Sequence, residues 1–136
     1  MRVTVKRKAH FNAAHRLYRK DWDDAKNEEV FGLCNNPYFH GHNYNFWVEV
    51  TGEVDTDTGY VVDMKVLKHL IEKEVCKYLD HKNLNEQVEE FKTLIPTAEH
   101  IAYVIYNRLR RHLKNKLDLK ITLFETERNC VSYSGE

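Results

Sequence analysis

The chain of 136 residues predicts one domain, spanning residues 1–136, with a single hydrophobic core. Lysine and arginine balance aspartate and glutamate at 21 each, which favours neither nucleic acid nor acidic molecules as partners, and no segment approaches the length of a membrane-spanning helix. Three cysteines without a disulfide framework, and an alternating N-terminus without an apolar signal-peptide region, predict a cytoplasmic protein with reduced thiols.

The first half of the chain is typical of β-structure. Apolar and polar residues alternate over residues 2–17 and again over 38–54, and the polar stretch between them, roughly 18–30, predicts a loop or a short helix. Turn-forming residues occupy 55–59. We therefore expect the strand over 38–54 and residues 60–62 to form a hairpin across this turn.

Two amphipathic helices follow. Apolar residues recur at helical spacing from Met64 to Leu79, with Asp63 placed as an N-cap, and again from about Thr97 to Leu113. Strand patterning returns over 120–125 and 131–133. This order of elements predicts an α+β domain in which a small antiparallel sheet carries two helices packed on one face.

The segment His40-Gly41-His42 is the strongest chemical signal in the sequence. Residues two apart on a strand project from the same face, so both imidazoles point the same way, and the glycine between them allows close approach of a ligand. His15, which ends the first predicted strand, is the best third candidate ligand. Three histidines and an open fourth position are typical of catalytic zinc. Surface or core histidines without a metal are the alternative interpretation.

Cys34 lies six residues before His40. Its thiolate is either a fourth ligand, which would close a structural Cys-His₃ site, or a base beside an open zinc site. The loop between the two residues allows both arrangements. We expect Cys76, inside a predicted helix, and Cys130, in or near a strand, to be buried apolar fillers.

Three further polar groups stand at the ends of predicted elements. Asp80 and His81 directly follow the first helix, where a carboxylate can orient an imidazole for acid–base work, although helix ends often carry such residues. Thr97 and Glu99 start the second helix, where they either cap it or meet a polar ring edge. Glu125 ends a strand and is either an exposed glutamate or an acceptor for two parallel hydrogen bonds from an amidine-like edge.

Together these residues resemble one family, the 6-pyruvoyltetrahydropterin synthases and their bacterial relatives, the 6-carboxytetrahydropterin synthases. The resemblance covers almost the whole chain. It rests on five ordered blocks, which are Phe11-Asn12-Ala13-Ala14-His15-Arg16-Leu17, Cys34 with His40-Gly41-His42-Asn43-Tyr44, Leu79-Asp80-His81-Lys82-Asn83-Leu84, Pro96-Thr97-Ala98-Glu99, and Phe124-Glu125-Thr126.

The resemblance implies a role for each candidate residue. Members of the family hold zinc with three histidines, transfer protons with a cysteine and an Asp-His pair, and bind the pterin with a glutamate and a Thr-x-Glu block. The matching residues here are His15, His40 and His42 for zinc, Cys34, Asp80 and His81 for catalysis, and Glu125, Thr97 and Glu99 for substrate binding.

The resemblance also implies an activity and an assembly. Family members are zinc-dependent lyases that act on 7,8-dihydroneopterin triphosphate. Their product is 6-pyruvoyl-tetrahydropterin, by triphosphate elimination with internal redox in tetrahydrobiopterin biosynthesis, or 6-carboxy-tetrahydropterin in queuosine biosynthesis. Their tunnelling-type fold forms an oligomeric barrel, a homohexamer built as a dimer of trimers, with sites at subunit interfaces, so Asp80 and His81 can serve a neighbouring chain. Arg16, Lys82 and Arg128 are candidates for the triphosphate from charge alone.

Some features leave alternatives open. Five residues separate Cys34 from His40, which weakly favours the pyruvoyl product, and His100 stands where the family usually has asparagine. A third branch of the family, which cleaves dihydroneopterin, carries glutamate at or beside the position of Cys34, and the cysteine argues against that branch. The alternatives to a lyase are a non-catalytic zinc- or pterin-binding module closed by Cys34, and a His₃ zinc hydrolase that needs no Asp80–His81 pair.

Overall fold

A long antiparallel ribbon organises the structure, a computed structural model that describes residues 1–136. Its two strands, β1 (Arg2–His15) and β2 (His40–Glu53), have 14 residues each and pair from Arg2↔Glu53 to His15↔His40. The other elements in chain order are α1 (Asp24–Phe31), α2 (Met64–Ile71), α3 (Lys77–Leu79), β3 (Lys82–Asn83), α4 (Leu84–Gln87), α5 (Ala98–Arg110), β4 (Asp118–Phe124) and β5 (Cys130–Tyr133), with 3₁₀ turns at Gly32–Asn35 and Glu89–Lys92.

The sheet has five strands in the order β3-β1-β2-β4-β5. All neighbours are antiparallel except β3, which pairs in parallel with β1 at Ala13 and Ala14. Residues 2–11 of β1 therefore have no strand on their outer side, and the short strand β5 forms the opposite edge.

The core lies between one face of this sheet and the helices. On β2 the even-numbered residues Tyr44, Phe46, Val48 and Val50 are fully buried while their odd-numbered neighbours are partly exposed. The buried face joins Leu67, Ile71, Ile101 and Ile105 of α2 and α5 in one cluster of 22 buried residues. Burying each such side chain contributes roughly 1.5–3 kcal/mol, so this face holds the helices in place. The predicted α+β sheet with helices on one face is confirmed.

Helix boundaries follow the capping residues. The side chain of Asp63 accepts a hydrogen bond from Lys65 N at 2.8 Å, and Thr97 Oγ1 accepts one from His100 N at 3.3 Å, so both predicted starts are confirmed. The first helix runs from α2 through a π-helical turn (Glu72–Cys76) into α3, which matches the predicted helix Met64–Leu79. No helix combines the length and the apolar character that crossing a bilayer requires.

The predicted hairpin between residues 38–54 and 60–62 is wrong. Asp55 N donates to Tyr60 O at 3.1 Å, which closes a tight loop, and Val61 and Val62 then pack against the core without joining the sheet. Both sides of β2 are already occupied by β1 and β4, so residues 60–62 have no edge to pair with. The polar stretch 18–30 contains the short helix α1.

Candidate active site

Three histidines meet where the first two strands join. His15 is the last residue of β1 and lies directly opposite His40, the first residue of β2, while His42 follows on the same face. Their ring centroids are 4.5 to 5.1 Å apart, and one ligand nitrogen from each lies within 4.8 Å of the other two. Strand pairing and period-2 alternation thus bring together residues that are 27 positions apart in sequence. We name this group the histidine triad.

The triad presents nitrogen atoms that lack any partner. His15 Nε2, His40 Nδ1 and His42 Nε2 are all buried and make no hydrogen bond. Burial lowers the pKa of His15 to about 4, with smaller effects from His40 and His42, and burial followed by the charge of His42 lowers the pKa of His40. Neutral imidazoles with free lone pairs are what a metal ligand requires, so these residues can hold a metal ion.

Contacts at Nδ1 set the orientation of the His15 ring. Its Nδ1 donates a hydrogen bond to the backbone carbonyl of Pro96 at 2.8 Å, and the hydroxyl of the buried Tyr44 lies 3.3 Å from the same nitrogen. A hydrogen bond at one ring nitrogen leaves the other as the lone-pair donor. Since Pro96 precedes the Thr97 cap of α5, the same contact ties the triad to the start of that helix.

A cleft of about 350 Å³ adjoins the triad. Glu125 Oε1 lies 4.0 Å from His42 Nε2 and faces this cleft, which Thr97 and Glu99 also line. The structure therefore brings together the three residues predicted to bind substrate. The cleft is completed by residues that sequence reasoning missed, namely Leu17, Ala98, Asn129, Cys130 and Val131.

The pairing of β4 with β5 explains the missed residues. Phe124 pairs with Cys130, so the start of β5 lies beside Glu125 at the end of β4. Treating the two predicted strands as a hairpin would have placed residues 129–131 at the cleft. Cys130 is exposed there, so the prediction that it is a buried filler is wrong. Cys76 is half-buried in the helical segment, and burial raises the pKa of its thiol.

Cys34 approaches the site from the 3₁₀ turn Gly32–Asn35 and is half-buried. Its sulfur does not belong to the group of ligand atoms that lie within 4.8 Å of one another, which consists of the three imidazoles alone. Burial, followed by the charges of Glu125 and Cys34, raises the pKa of the Tyr44 hydroxyl. The N–H of Leu17, two residues after His15, donates to Cys34 O at 2.8 Å, so the segment that carries the thiol lies beside the end of β1.

Asp80 and His81 form a hydrogen-bonded pair beside the end of β1. Asp80 Oδ2 accepts a hydrogen bond from His81 Nδ1 at 2.8 Å, and both residues bind the backbone of Asn12, through Asp80 Oδ1 at 2.8 Å and His81 N at 2.6 Å. The Asn12 N–H, and then His81, lower the pKa of Asp80. The His81 side chain is 78% exposed and lines a depression distinct from the Glu125 cleft, together with His42 of the triad and Asn43. Within one chain the pair does not line the Glu125 cleft.

His100 lies outside the Glu125 cleft. Its Nδ1 donates to Ile95 O at 2.6 Å, and its ring faces another pocket, which Tyr18 and Phe91 also line. The side chain at this position is therefore not part of the lining of the Glu125 cleft.

In sequence and in fold, the chain is similar to proteins of one family. The family model described as 6-pyruvoyl tetrahydropterin synthase matches residues 4–136. The chain is 42% identical over 132 residues to the 6-pyruvoyl tetrahydrobiopterin synthase of Homo sapiens, covering 97% of this chain and 91% of that protein. A putative 6-carboxy-5,6,7,8-tetrahydropterin synthase of Archaeoglobus fulgidus is 41% identical over 70 residues, 52% of this chain and 55% of that one. The solved structure of Caenorhabditis elegans 6-pyruvoyl tetrahydropterin synthase superposes with a TM-score of 0.94 at 40% identity, covering 100% of this chain and 97% of that one.

Proposed function

Because the chain belongs to the 6-pyruvoyl tetrahydropterin synthase family, we propose that it is a zinc-dependent lyase that converts 7,8-dihydroneopterin triphosphate to 6-pyruvoyl-tetrahydropterin. Membership makes it an enzyme of the 6-pyruvoyl/6-carboxy-tetrahydropterin synthase type, as the resemblance implied. The specific reaction rests on one observation, the three partnerless imidazole nitrogens of the triad beside the cleft that Glu125 faces.

Zinc is the metal that this donor set fits. Three imidazoles, one of them oriented by a backbone carbonyl, would supply the three protein ligands that are typical of catalytic zinc. His15, His40 and His42 would hold the ion, and bound zinc would supply Lewis acidity toward oxygen atoms of the substrate side chain. A closed Cys-His₃ site finds no support, since the Cys34 sulfur lies outside the ligand group.

The cleft would hold the pterin ring. Its volume of about 350 Å³ is within the range of small-molecule sites. The carboxylate of Glu125 can accept two parallel hydrogen bonds from the 2-amino group and the adjacent ring N–H of a pterin, a bidentate arrangement that fixes the ring in its plane. Thr97 and Glu99 line the same cleft and would contact the ring from the start of α5.

Proton transfer is assigned to two separate groups. Cys34, as a thiolate, would accept a proton from a side-chain carbon of the substrate. The carboxylate of Asp80 holds His81 through Nδ1, which leaves Nε2 exposed to exchange the second proton. The side-chain carbon next to the ring would be oxidised to a carbonyl, and its two electrons would reduce the dihydropterin ring to the tetrahydro level. Loss of triphosphate from the terminal carbon would leave an enol that becomes the second carbonyl and a methyl group, so the reaction would need no nicotinamide.

We propose that the Asp80–His81 pair acts in the cleft of a neighbouring chain. Within one chain neither residue lines the Glu125 cleft, and the pair binds the backbone of Asn12, next to the edge of β1 that has no partner over residues 2–11. An unpaired strand edge is a template for another strand, and β5 offers a second edge. These free edges support a homo-oligomer of the single pterin synthase domain, residues 1–136, and the barrel-shaped hexamer built as a dimer of trimers is what the family resemblance implies.

The pyruvoyl product is the better supported of the two. The relative with that name covers 97% of the chain, whereas the carboxy-type relative matches 52% of it. The pathway would then be tetrahydrobiopterin biosynthesis. A 6-carboxy product of the queuosine pathway is the second candidate, and the cytoplasmic location stays a prediction.

A mass-resolved product assay tests the proposal. Purified oligomer, loaded with zinc, is incubated with 7,8-dihydroneopterin triphosphate, and the C34A variant serves as the control that keeps the metal site. We expect inorganic triphosphate and a 6-pyruvoyl product from the wild type and neither from C34A. Release of acetaldehyde with a 6-carboxy product would assign the second candidate. Bound zinc without turnover would overturn the lyase assignment and favour the binding module.

A further inference from the structure

Arg16 joins the metal site to the segment that carries the thiol. It follows His15 directly, and its guanidinium donates to the backbone carbonyl of Asn35 from Nε at 2.8 Å and to Asn35 Oδ1 from Nη2 at 3.1 Å. The next residue, Leu17, donates its N–H to Cys34 O at 2.8 Å. Three hydrogen bonds therefore connect Arg16 and Leu17, which directly follow the candidate ligand His15, to the segment of Cys34 and Asn35.

Arg16 is itself held from two sides. Its guanidinium lies 4.0 Å from the ring of Tyr18, a stacking distance. Its backbone exchanges two hydrogen bonds with the side chain of Asn85, from Arg16 N to Oδ1 at 2.8 Å and from Nδ2 to Arg16 O at 2.9 Å. The Arg16 guanidinium donates from Nε and Nη2 to two neutral oxygen atoms of Asn35. A lysine ammonium cannot reproduce this planar geometry of two donors.

The other hydrogen bonds around Cys34 are local, from Gly32 N to Glu28 O and from Asn36 N to Leu33 O. Leu33 within the turn is 94% exposed and Tyr38 after it is 90% exposed, so these two side chains add no packing against the core. Segments with few buried contacts open locally at low free-energy cost, and the hydrogen bonds to Arg16 and Leu17 oppose this. The position of the thiol then depends on a small number of polar contacts.

We propose that Arg16 is a positioning residue, which we call the clamp, and that it fixes the Cys34 segment relative to the histidine triad. The proposal rests on the proposed function, in which the Cys34 thiolate takes a substrate proton. Misplacement of a reacting group by about 1 Å can lower a rate by about 100-fold, so a loosened clamp reduces turnover without removing the base. This positioning role replaces the interpretation, drawn from charge alone, that Arg16 contacts the triphosphate.

The R16K variant separates these roles. Zinc content, steady-state kinetics and the iodoacetamide alkylation rate of each cysteine, followed by peptide mass mapping, are compared with wild type. We expect Cys34 to be alkylated at least about fivefold faster because its segment opens more often, while the exposed Cys130 serves as an unchanged internal reference. We also expect kcat to fall by about 10- to 100-fold with KM within about twofold and zinc content unchanged.

Two further variants complete the test. N35A removes one of the two acceptors and should shift Cys34 alkylation in the same direction by a smaller factor, and R16K/N35A should be no worse than R16K alone. N35A also carries the test if R16K does not fold. The control is R19K, because Arg19 binds Asp21 on the surface and contacts neither Cys34 nor Asn35.

Unchanged alkylation of Cys34 in R16K and N35A would overturn the clamp. A raised KM with full kcat in R16K would also overturn it and assign Arg16 to the triphosphate. Alkylation needs no turnover, so an inactive wild type would refute the proposed function while the alkylation rates still decide whether the clamp exists.

Discussion

His15 and His40 lie opposite each other at the end of the β1–β2 ribbon, where they are partners in the antiparallel register. Their ring centroids are 4.5 Å apart. The pairing register alone sets this contact, since a shift of one residue would turn one imidazole to the opposite face of the sheet. The whole ribbon, 14 residues on each strand, therefore contributes to holding two side chains at its end.

Removing one triad imidazole should abolish zinc binding. In H15A two imidazoles remain, too few for the three protein ligands that catalytic zinc sites use. We expect about one zinc ion per wild-type chain and less than about a tenth of that in H15A by elemental mass spectrometry after gel filtration. H69A, which changes an exposed histidine on α2, should bind zinc normally. Full zinc content in a folded H15A would contradict the assignment.

The metal-free protein should lose stability as the pH falls from about 6.5 to about 4. His15 has a pKa of about 4 in the folded state against 6.5 as a free side chain, so the unfolded state binds the proton more readily in this window. Neutral His15 makes its full contribution to the free energy of unfolding above pH 6.5. Its lowered pKa corresponds to about 3 kcal/mol of that free energy lost by pH 4. The lowered pKa of His40 acts in the same direction.

Urea denaturation of the chelator-treated protein at pH 7 and pH 5 measures this effect. The H15N variant should show a smaller decrease between the two pH values, while H69Q should match the wild type. The lowered pKa of Asp80 adds a further loss only below its usual range, so that group does not account for a decrease above pH 4. An equal pH dependence in H15N and wild type would contradict the explanation.

Much of this arrangement could be predicted from local patterns. Period-2 alternation located β1 and β2 and predicted that His40 and His42 share a face, and caps at Asp63 and Thr97 marked both helices. These features depend only on residues close in sequence.

The features that were missed depend on contacts between distant segments. Residues 60–62 do not form the predicted strand because β4, which starts 78 residues after the start of β2, already pairs there. The contact of His15 with the Pro96 carbonyl has no sequence signature, because any residue offers a backbone carbonyl. The position of β3 beside β1, and with it the separation of Asp80 from the cleft, likewise follows only from the folded structure.

Glu125 should control affinity for the pterin and leave the metal site intact. In E125Q the side chain keeps its shape but loses its charge and one of two equivalent acceptors, which should weaken binding of a pterin analogue by about 10- to 100-fold, or about 1.5–3 kcal/mol. Calorimetric titration with neopterin measures this, with zinc content as a second readout. E127Q changes an exposed carboxylate two residues away and should bind neopterin like the wild type. Equal affinities in E125Q and wild type would exclude Glu125 as the anchor.

Mixing two inactive variants tests whether Asp80 and His81 serve a neighbouring chain. C34A lacks the thiol that we propose as the base, and H81A lacks the exchangeable imidazole that we propose acts at the site of the neighbouring chain. If each site takes Cys34 from one chain and His81 from another, unfolding and refolding the variants together in equal amounts should make about a quarter of the sites complete, and turnover should return to about that fraction. Each variant refolded alone should stay inactive, which makes it the control for reversion.

Since His81 is 78% exposed and hydrogen-bonded only to Asp80 and Asn12, its replacement should leave the fold intact, as circular dichroism can check. Failure of the mixture to regain activity, in oligomers that native mass spectrometry shows to be mixed, would place the pair in the cleft of its own chain and require a movement of the segment after α3.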